Sequence, residues 1–180
     1  LRDKGVSEMS AALKRRFSFE EVEPIADRDR EIALVTRQTA EALVAAGVPA
    51  EVDTPLVDAL VTVMRDLRRG VTGEGWAVER PSTVMSTAET VAISQSLALA
   101  NAFFPPTESE GSEGSEGAVS GAVSLLPGHL LGAVRKDDDK DAARLQAYWD
   151  ATVRRRAGEE TGDARAALWR KLWDHRGDLR

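Results

Sequence analysis

Apolar side chains recur every three or four residues over most of this chain, and that spacing predicts helices. Asp27 can cap a helix running to about Ala46, with Ile32, Val35, Thr39 and Leu43 on one face and Gly47 as its stop. Thr54-Pro55 reads as an N-cap followed by proline at the first helical position, where a missing N–H costs nothing. Leu56, Val57, Leu60, Val61, Met64 and Leu67 then keep helical spacing as far as Arg68-Arg69-Gly70, two basic residues and a glycine suited to a helix end. Ser86-Thr87-Ala88-Glu89 forms a capping box opening a helix through Phe104. Val91, Ile93, Leu97, Leu99, Phe103 and Phe104 make that helix apolar on most faces, which predicts that it is the central, most buried one. A Leu-rich stretch at 125–134 and helices near 139–157 and 163–176 follow. Only the segment Arg16–Glu23 alternates at period two, enough for one short strand.

Charge divides the chain. Residues 105–134 hold four acidic and no basic side chains, and they begin with Pro105-Pro106 and a Ser/Glu/Gly tract. Such a composition buries too little apolar surface to offset its ordering entropy, so a flexible linker is expected over 105–121. It would separate a body, residues 1–104, from a helical appendage over 122–180. The 180 residues are 42% hydrophobic and 30% charged, which suits a chain with a real core rather than a disordered one. A net charge of -6 argues against a dedicated nucleic-acid binder. No apolar run approaches the ~20 residues that cross a bilayer and no leader opens the sequence, so a cytoplasmic location without membrane contact is expected. Leu1 in place of Met, followed directly by charged residues, reads as the continuation of a longer polypeptide or as a trimmed N-terminus.

Catalytic patterns are absent from the sequence. It has no cysteine, hence no disulfide, thiolate zinc site or cysteine nucleophile. Its two histidines, His129 and His175, stand far apart outside any metal-binding spacing and read as surface or interface residues. No phosphate-binding G-x-x-x-x-G-K-[ST] loop, G-x-S-x-G elbow or apolar strand ending in Asp-Glu occurs.

The opening segment changes the picture. Leu1–Ile32 resembles the stretch that follows the sensor-1 strand in MoxR-like AAA+ ATPases: a loop, a helix ending in Arg-Phe, and a short strand crossing to a helical lid. Here the helix is Glu8 to Arg16, the landmark Arg15-Arg16-Phe17, and the strand Phe17–Val22. The segment Arg80–Ser94 resembles the entry into the third lid helix of the same family. The resemblance implies a mainly α fold: an AAA+ helical lid bundle over 25–104, a remnant of the α/β core over 1–24, and a helical extension over 122–180. In the intact parent it implies ATP and Mg2+ as cofactors, a homo-oligomeric ring, chaperone-like remodelling of other proteins, and a von Willebrand factor A domain protein as a partner. It also implies an arginine finger, because an always-charged guanidinium can steady negative charge at a neighbouring subunit's nucleotide. Arg16 occupies that position and Arg15 is the runner-up, although KRR also suits the negative end of a helix. The family's nucleotide-sensing arginine at the third lid helix is missing, since Ser86-Thr87-Ala88 stands there. Arg80 is the substitute, or else a residue of a surface turn. Lacking the phosphate loop, the 180 residues alone are expected to hold no cofactor and to hydrolyse no ATP. The alternative is a free-standing helical interaction module without nucleotide chemistry.

Trp149, Trp169 and Trp173 lie in the appendage, and the last two share a helix face. They serve either to pack the appendage on the lid or to dock a partner. Arg154-Arg155-Arg156 reads as compensation of a helix dipole, and Asp137-Asp138-Asp139 as a solvated helix start. The tract itself gives a test: a Glu-specific protease in limiting amount should cut first between Glu108 and Glu116, because cleavage there needs almost no unfolding. Resistance of that stretch would show that it is held in order.

Overall fold

A computed structural model describes residues 15–16, 25–82, 85–105, 116–135, 139–159 and 164–179. The helices are α1 (Arg28–Ala45), α2 (Thr54–Arg69), α3 (Thr87–Phe103), α4 (Glu116–Val134), α5 (Asp139–Tyr148), α6 (Arg154–Ala157) and α7 (Ala164–Asp174). A π-helical turn, Trp149–Val153, joins α5 to α6, and a 3-10 turn, Arg176–Leu179, ends the described chain. Among the described residues the only β pairing is a single antiparallel bridge between Val71 and Ala77. The fold is mainly α, as expected. The crossing strand at 17–22 and most of the preceding helix lie outside the described residues.

Helix ends follow local chemistry. Asp27 caps α1 by accepting from Arg30 N, and Gly47 follows with φ +76°, a conformation that favours glycine. The cap of α2 is Asp53 rather than Thr54: its side chain accepts from Leu56 N, leaving Thr54 and Pro55 as the first helical residues. Gly70 closes α2 in the left-handed conformation. The Ser86/Glu89 capping box opens α3 with both reciprocal hydrogen bonds present.

The expected central helix is the wrong one. Ten residues of α2 are buried, whereas α3 buries only Thr90, Ile93, Ser94 and Leu97, and Phe103 and Phe104 at its end stand 53% and 79% exposed. Mean apolarity misled, because α3 spreads its apolar groups around its circumference while α2 gathers them toward neighbours on several sides. Around α2 the core joins Leu60, Val63, Met64 and Leu67 to Val123, Leu126 and Leu130 of α4, to Leu145 and Trp149, and to Trp169 and Leu172 of α7. Helices before and after the Ser/Glu/Gly tract therefore share one core, and the tryptophans pack inward. Helix α4 begins at Glu116, so the last residues of the expected linker are helical.

The arginine triplet does more than offset a dipole. The guanidinium of Arg154 lies 5.8 Å from the Trp173 ring, that of Arg155 3.9 Å from Trp76, and that of Arg156 4.8 Å from Trp169. Arg156, only 2% exposed, also donates from Nε and Nη2 to the two carboxylate oxygens of Glu74 at 3.1 and 2.7 Å. Its Nη1 donates to Tyr148 Oη at 3.0 Å, and its Nη2 lies 2.8 Å from Asp66 Oδ2. Tyr148 Oη donates to the same Asp66 oxygen at 2.9 Å. One side chain thus ties α2, the turn after it, α5 and α7 together. The π turn supports this arrangement: its extra residue shifts the helical phase, so that both Trp149 and Arg156 point inward.

Two predictions follow from this node. Arg156→Ala leaves Asp66 buried without its cation and should cost about 3–5 kcal/mol of stability by urea denaturation; a loss below about 1 kcal/mol would refute the role. Hydrogen bonds from Arg156 hold the Glu74 carboxyl down at about 2 against an ordinary 4.5. A carboxylate depressed in the folded state stabilises fully above its unfolded value and loses that contribution as pH falls. Wild-type stability should therefore decline between about pH 4.5 and 2, and Glu74→Gln should flatten that decline in pH-dependent melting.

Candidate functional site

At one end of the layer formed by α1, α2 and α3 a small cleft of about 230 Å³ is lined by Ile25, Ala26, Arg65, Arg68 and Arg69. The periodicity of α2 explains it. Residues 65, 68 and 69 stand three and four apart, so their guanidinium groups share one side of the last turn. Arg65 donates to the carbonyls of Ile25 and Ala26 at 3.1 and 2.7 Å, fixing the chain segment that leads into α1.

Glu31 is the organising anion. It occupies a core position of α1, in line with Val35, Thr39 and Leu43, and is fully buried. Its carboxylate accepts from Arg65 Nη1 at 2.7 Å, Arg68 Nη2 at 2.9 Å and Thr87 Oγ1 at 2.9 Å. Burial pushes the Glu31 carboxyl up, but the hydrogen bonds from Arg68 and Arg65 outweigh it and hold the group below the usual range. A carboxylate so clamped is a poor proton acceptor. Its work is to fix two arginines and the start of α3 relative to α1.

Some donors remain unused. Arg68 Nε is buried without a hydrogen-bond partner, and Arg69 is exposed at the cleft. The arrangement can therefore receive an anion, with guanidinium groups as donors. It offers no base or nucleophile, and among the described residues no cluster of acidic or histidine side chains is placed to hold a metal ion.

The sequence-predicted site residues fall apart in space. Arg15 and Arg16 lie in a turn, both exposed, and their neighbours on either side are outside the described residues. Arg80 is exposed, with its stem against Gly70, where an added Cβ would meet Arg80 Cγ at 2.9 Å. That contact holds Arg80 beside the end of α2, one residue past Arg69, although it does not line the cleft. Ser86-Thr87-Ala88 is brought to the same end through Thr87 and Glu31. His129 bridges α3 and α4, its ring nitrogens within 2.9 Å of Leu125 O and 3.1 Å of Ser96 Oγ, which is an interface role. Sequence reasoning missed Arg65, Arg68 and Glu31. The available signal was a glutamate in register with a buried stripe, facing arginines three apart on the next helix.

Comparison with known proteins agrees with this architecture. Residues 29–180 match the family model for the YehL-like AAA+ ATPase C-terminal domain, a match that excludes Arg15 and Arg16. A protein of Escherichia coli strain K12, "Uncharacterized protein YehL", is 36% identical over 153 residues, covering 84% of this chain. The chain spans about 38% of that relative's length. No solved structure matches it. The chain therefore belongs to the YehL-like AAA+ ATPase C-terminal domain family.

Proposed function

We propose that the chain is the helical lid and extension of a MoxR-like AAA+ ATPase whose ring, powered by ATP and Mg2+, remodels partner proteins, among them a von Willebrand factor A domain protein. The observation that carries this reading is the arginine-lined cleft, built where the chain enters α1 from the segment that resembles the end of an ATPase core. An arginine-rich end facing that junction suits a lid that closes over an anionic ligand.

The residues present fit part of a nucleotide. A cleft of about 230 Å³ with the exposed Arg69 in its lining has room for a phosphate-sized anion rather than a whole nucleotide. No group of carboxylates among the described residues is placed to hold Mg2+, and in this reading the metal's ligands would come from the portion of the parent that carries the phosphate loop. ATP supplies the phosphoanhydride whose cleavage drives the cycle. The chain's own residues bind and orient: Arg69 and Arg68 offer charge at the cleft, Arg80 stands beside them, and Glu31 keeps Arg65 and Arg68 in place. Arg16, exposed on its turn, is the side chain that would reach a neighbouring subunit's nucleotide, with Arg15 next to it.

Three substitutions in the intact parent separate these roles. Arg16→Ala should lower turnover by roughly a thousandfold while leaving nucleotide affinity nearly unchanged, because a finger serves the neighbour's site. Unchanged turnover would move the role to Arg15 or remove it. Arg69→Glu, at an exposed residue with no partner among the described residues, should leave the melting temperature alone and weaken ATP binding several-fold; Arg80→Ala should weaken it less. ATP binding by the Arg69 and Arg80 variants equal to that of the wild type would leave the lid arginines without a nucleotide role. The 180-residue chain by itself should bind ATP no tighter than about 1 mM by calorimetry, since the phosphate cradle is elsewhere.

A further inference from the structure

The opposite end of the same helical layer carries a different surface. The last turns of α1, the first turns of α2 and the second half of α3 enclose an open cleft of about 680 Å³. Leu43, Leu56, Val57, Leu60, Leu97 and Ala98 form most of its wall. Sequence neighbours of its lining residues are exposed and apolar: Val44 is 64% exposed, Phe103 53% and Phe104 79%. An apolar surface of this kind, framed by polar groups, is characteristic of a docking site rather than of a solvated face.

The charged groups among its described lining residues are carboxylates. Glu51 is exposed at the edge. Asp53 uses Oδ1 to cap α2, while its Oδ2 has no hydrogen-bond partner, and the Asn101 side-chain oxygen has none either. Thr39 and Ser94 satisfy each other at 2.8 Å. Among the described residues no lysine, arginine or histidine lines the cleft. The nearest cation to affect Asp53, Lys171 on α7, acts from outside it. Burial, the largest influence on Asp53, pushes its carboxyl up despite that lysine, as it does for a carboxylate short of a cation.

The chain's own continuation has the wrong chemistry to fill this cleft. Pro105 lines it, and residues 107–117, which come soon after in sequence, contain four glutamates and no apolar side chain. Such a segment offers nothing for the apolar wall and carries the same charge as Glu51 and Asp53.

From the apolar wall and from a described lining whose only charged groups are the carboxylates of Glu51 and Asp53, we propose that this cleft docks a basic amphipathic helix of a partner protein. Apolar anchors at i, i+3 or i+4 and i+7 would enter between α1, α2 and α3, and a flanking lysine or arginine side chain would meet the exposed Glu51 carboxylate. The surface lies at the far end from the arginine cleft, so occupant and nucleotide would not compete for the same residues.

The test uses the full chain and two labelled peptides of about 20 residues, one with a leucine stripe flanked by lysines and its twin with glutamates in place of the lysines. Fluorescence anisotropy should show the lysine peptide binding at least about tenfold more tightly than the twin. Ala98→Trp, which fills the cleft, should abolish binding while circular dichroism and melting temperature stay close to wild type. Glu51→Lys, an exposed loop change, should weaken the lysine peptide roughly fivefold and favour the twin. Equal binding of both peptides, or full binding by Ala98→Trp, would overturn the proposal. So would a sedimentation result in which wild type is a dimer and Ala98→Trp a monomer, since the occupant would then be a second copy. Tight binding of both peptides only after deletion of residues 107–115 would overturn it too, by making that tract the occupant.

Discussion

One buried guanidinium links the helices after α4 to α2 and the turn that follows it. At eleven residues α7 is shorter than the about 12–15 below which an isolated helix is marginal in water, and the continuous run from α5 through α6 also draws its stability from packing. They persist because Arg156 presents its fork to Glu74 and Asp66, donates to Tyr148 and lies against Trp169. Withdrawing a charge from water is costly, and the cost is met only if nearly every donor finds a partner. That condition fixes several elements at once. The turn over 71–77 must bring Glu74 inward, α2 must present Asp66, and α7 must lay a ring beneath. The turn complies through its own bonds, Thr72 N to Trp76 O at 2.9 Å and Val78 N to Gly70 O at 3.0 Å.

A second ion cluster performs the same service for the first three helices. Glu31 sits at the meeting point of α1, α2 and the start of α3, where a leucine would have given more burial but no direction. Directional bonds fix the angle at which packed helices meet, whereas apolar contact alone tolerates sliding. A third cluster repeats the theme: Asp141 at the head of α5 accepts from Ser82 N at 2.9 Å and Arg144 Nη1 at 2.7 Å, and Arg144 also reaches Glu79. Three junctions thus each have a carboxylate held by at least one donor distant in sequence.

These junctions explain which features were legible in the sequence. Helix positions came through well, because caps and stops are local: Asp27, the Ser86/Glu89 box, Gly47 and Gly70 act on bonds within a few residues of themselves. The cap of α2 was misplaced by one residue, since Asp53 and Thr54 are equally competent by type and only geometry chooses between them. Burial order was less legible. Apolar content said α3, whereas the core chose α2, because centrality depends on how many neighbours surround a helix and not on its own composition. The site was least legible. Glu31, Arg65 and Arg68 are each unremarkable surface types in isolation, and their partnership spans 34 and 37 residues. The arginine triplet likewise looked like dipole compensation until three tryptophan rings were found beside it.

The acidic tract joins α3 to α4, two helices that pack directly against each other and contribute to one core. A connection between elements already held together need not pull them into place. Closing a longer loop adds only about 0.6 kcal/mol per doubling of its length. Insertions and deletions between residues 107 and 115 can therefore accumulate with little penalty, and a fluorophore or affinity peptide spliced there should leave both helices in register. The tract is the natural place for length polymorphism among homologues, and the practical place to open the chain for labelling.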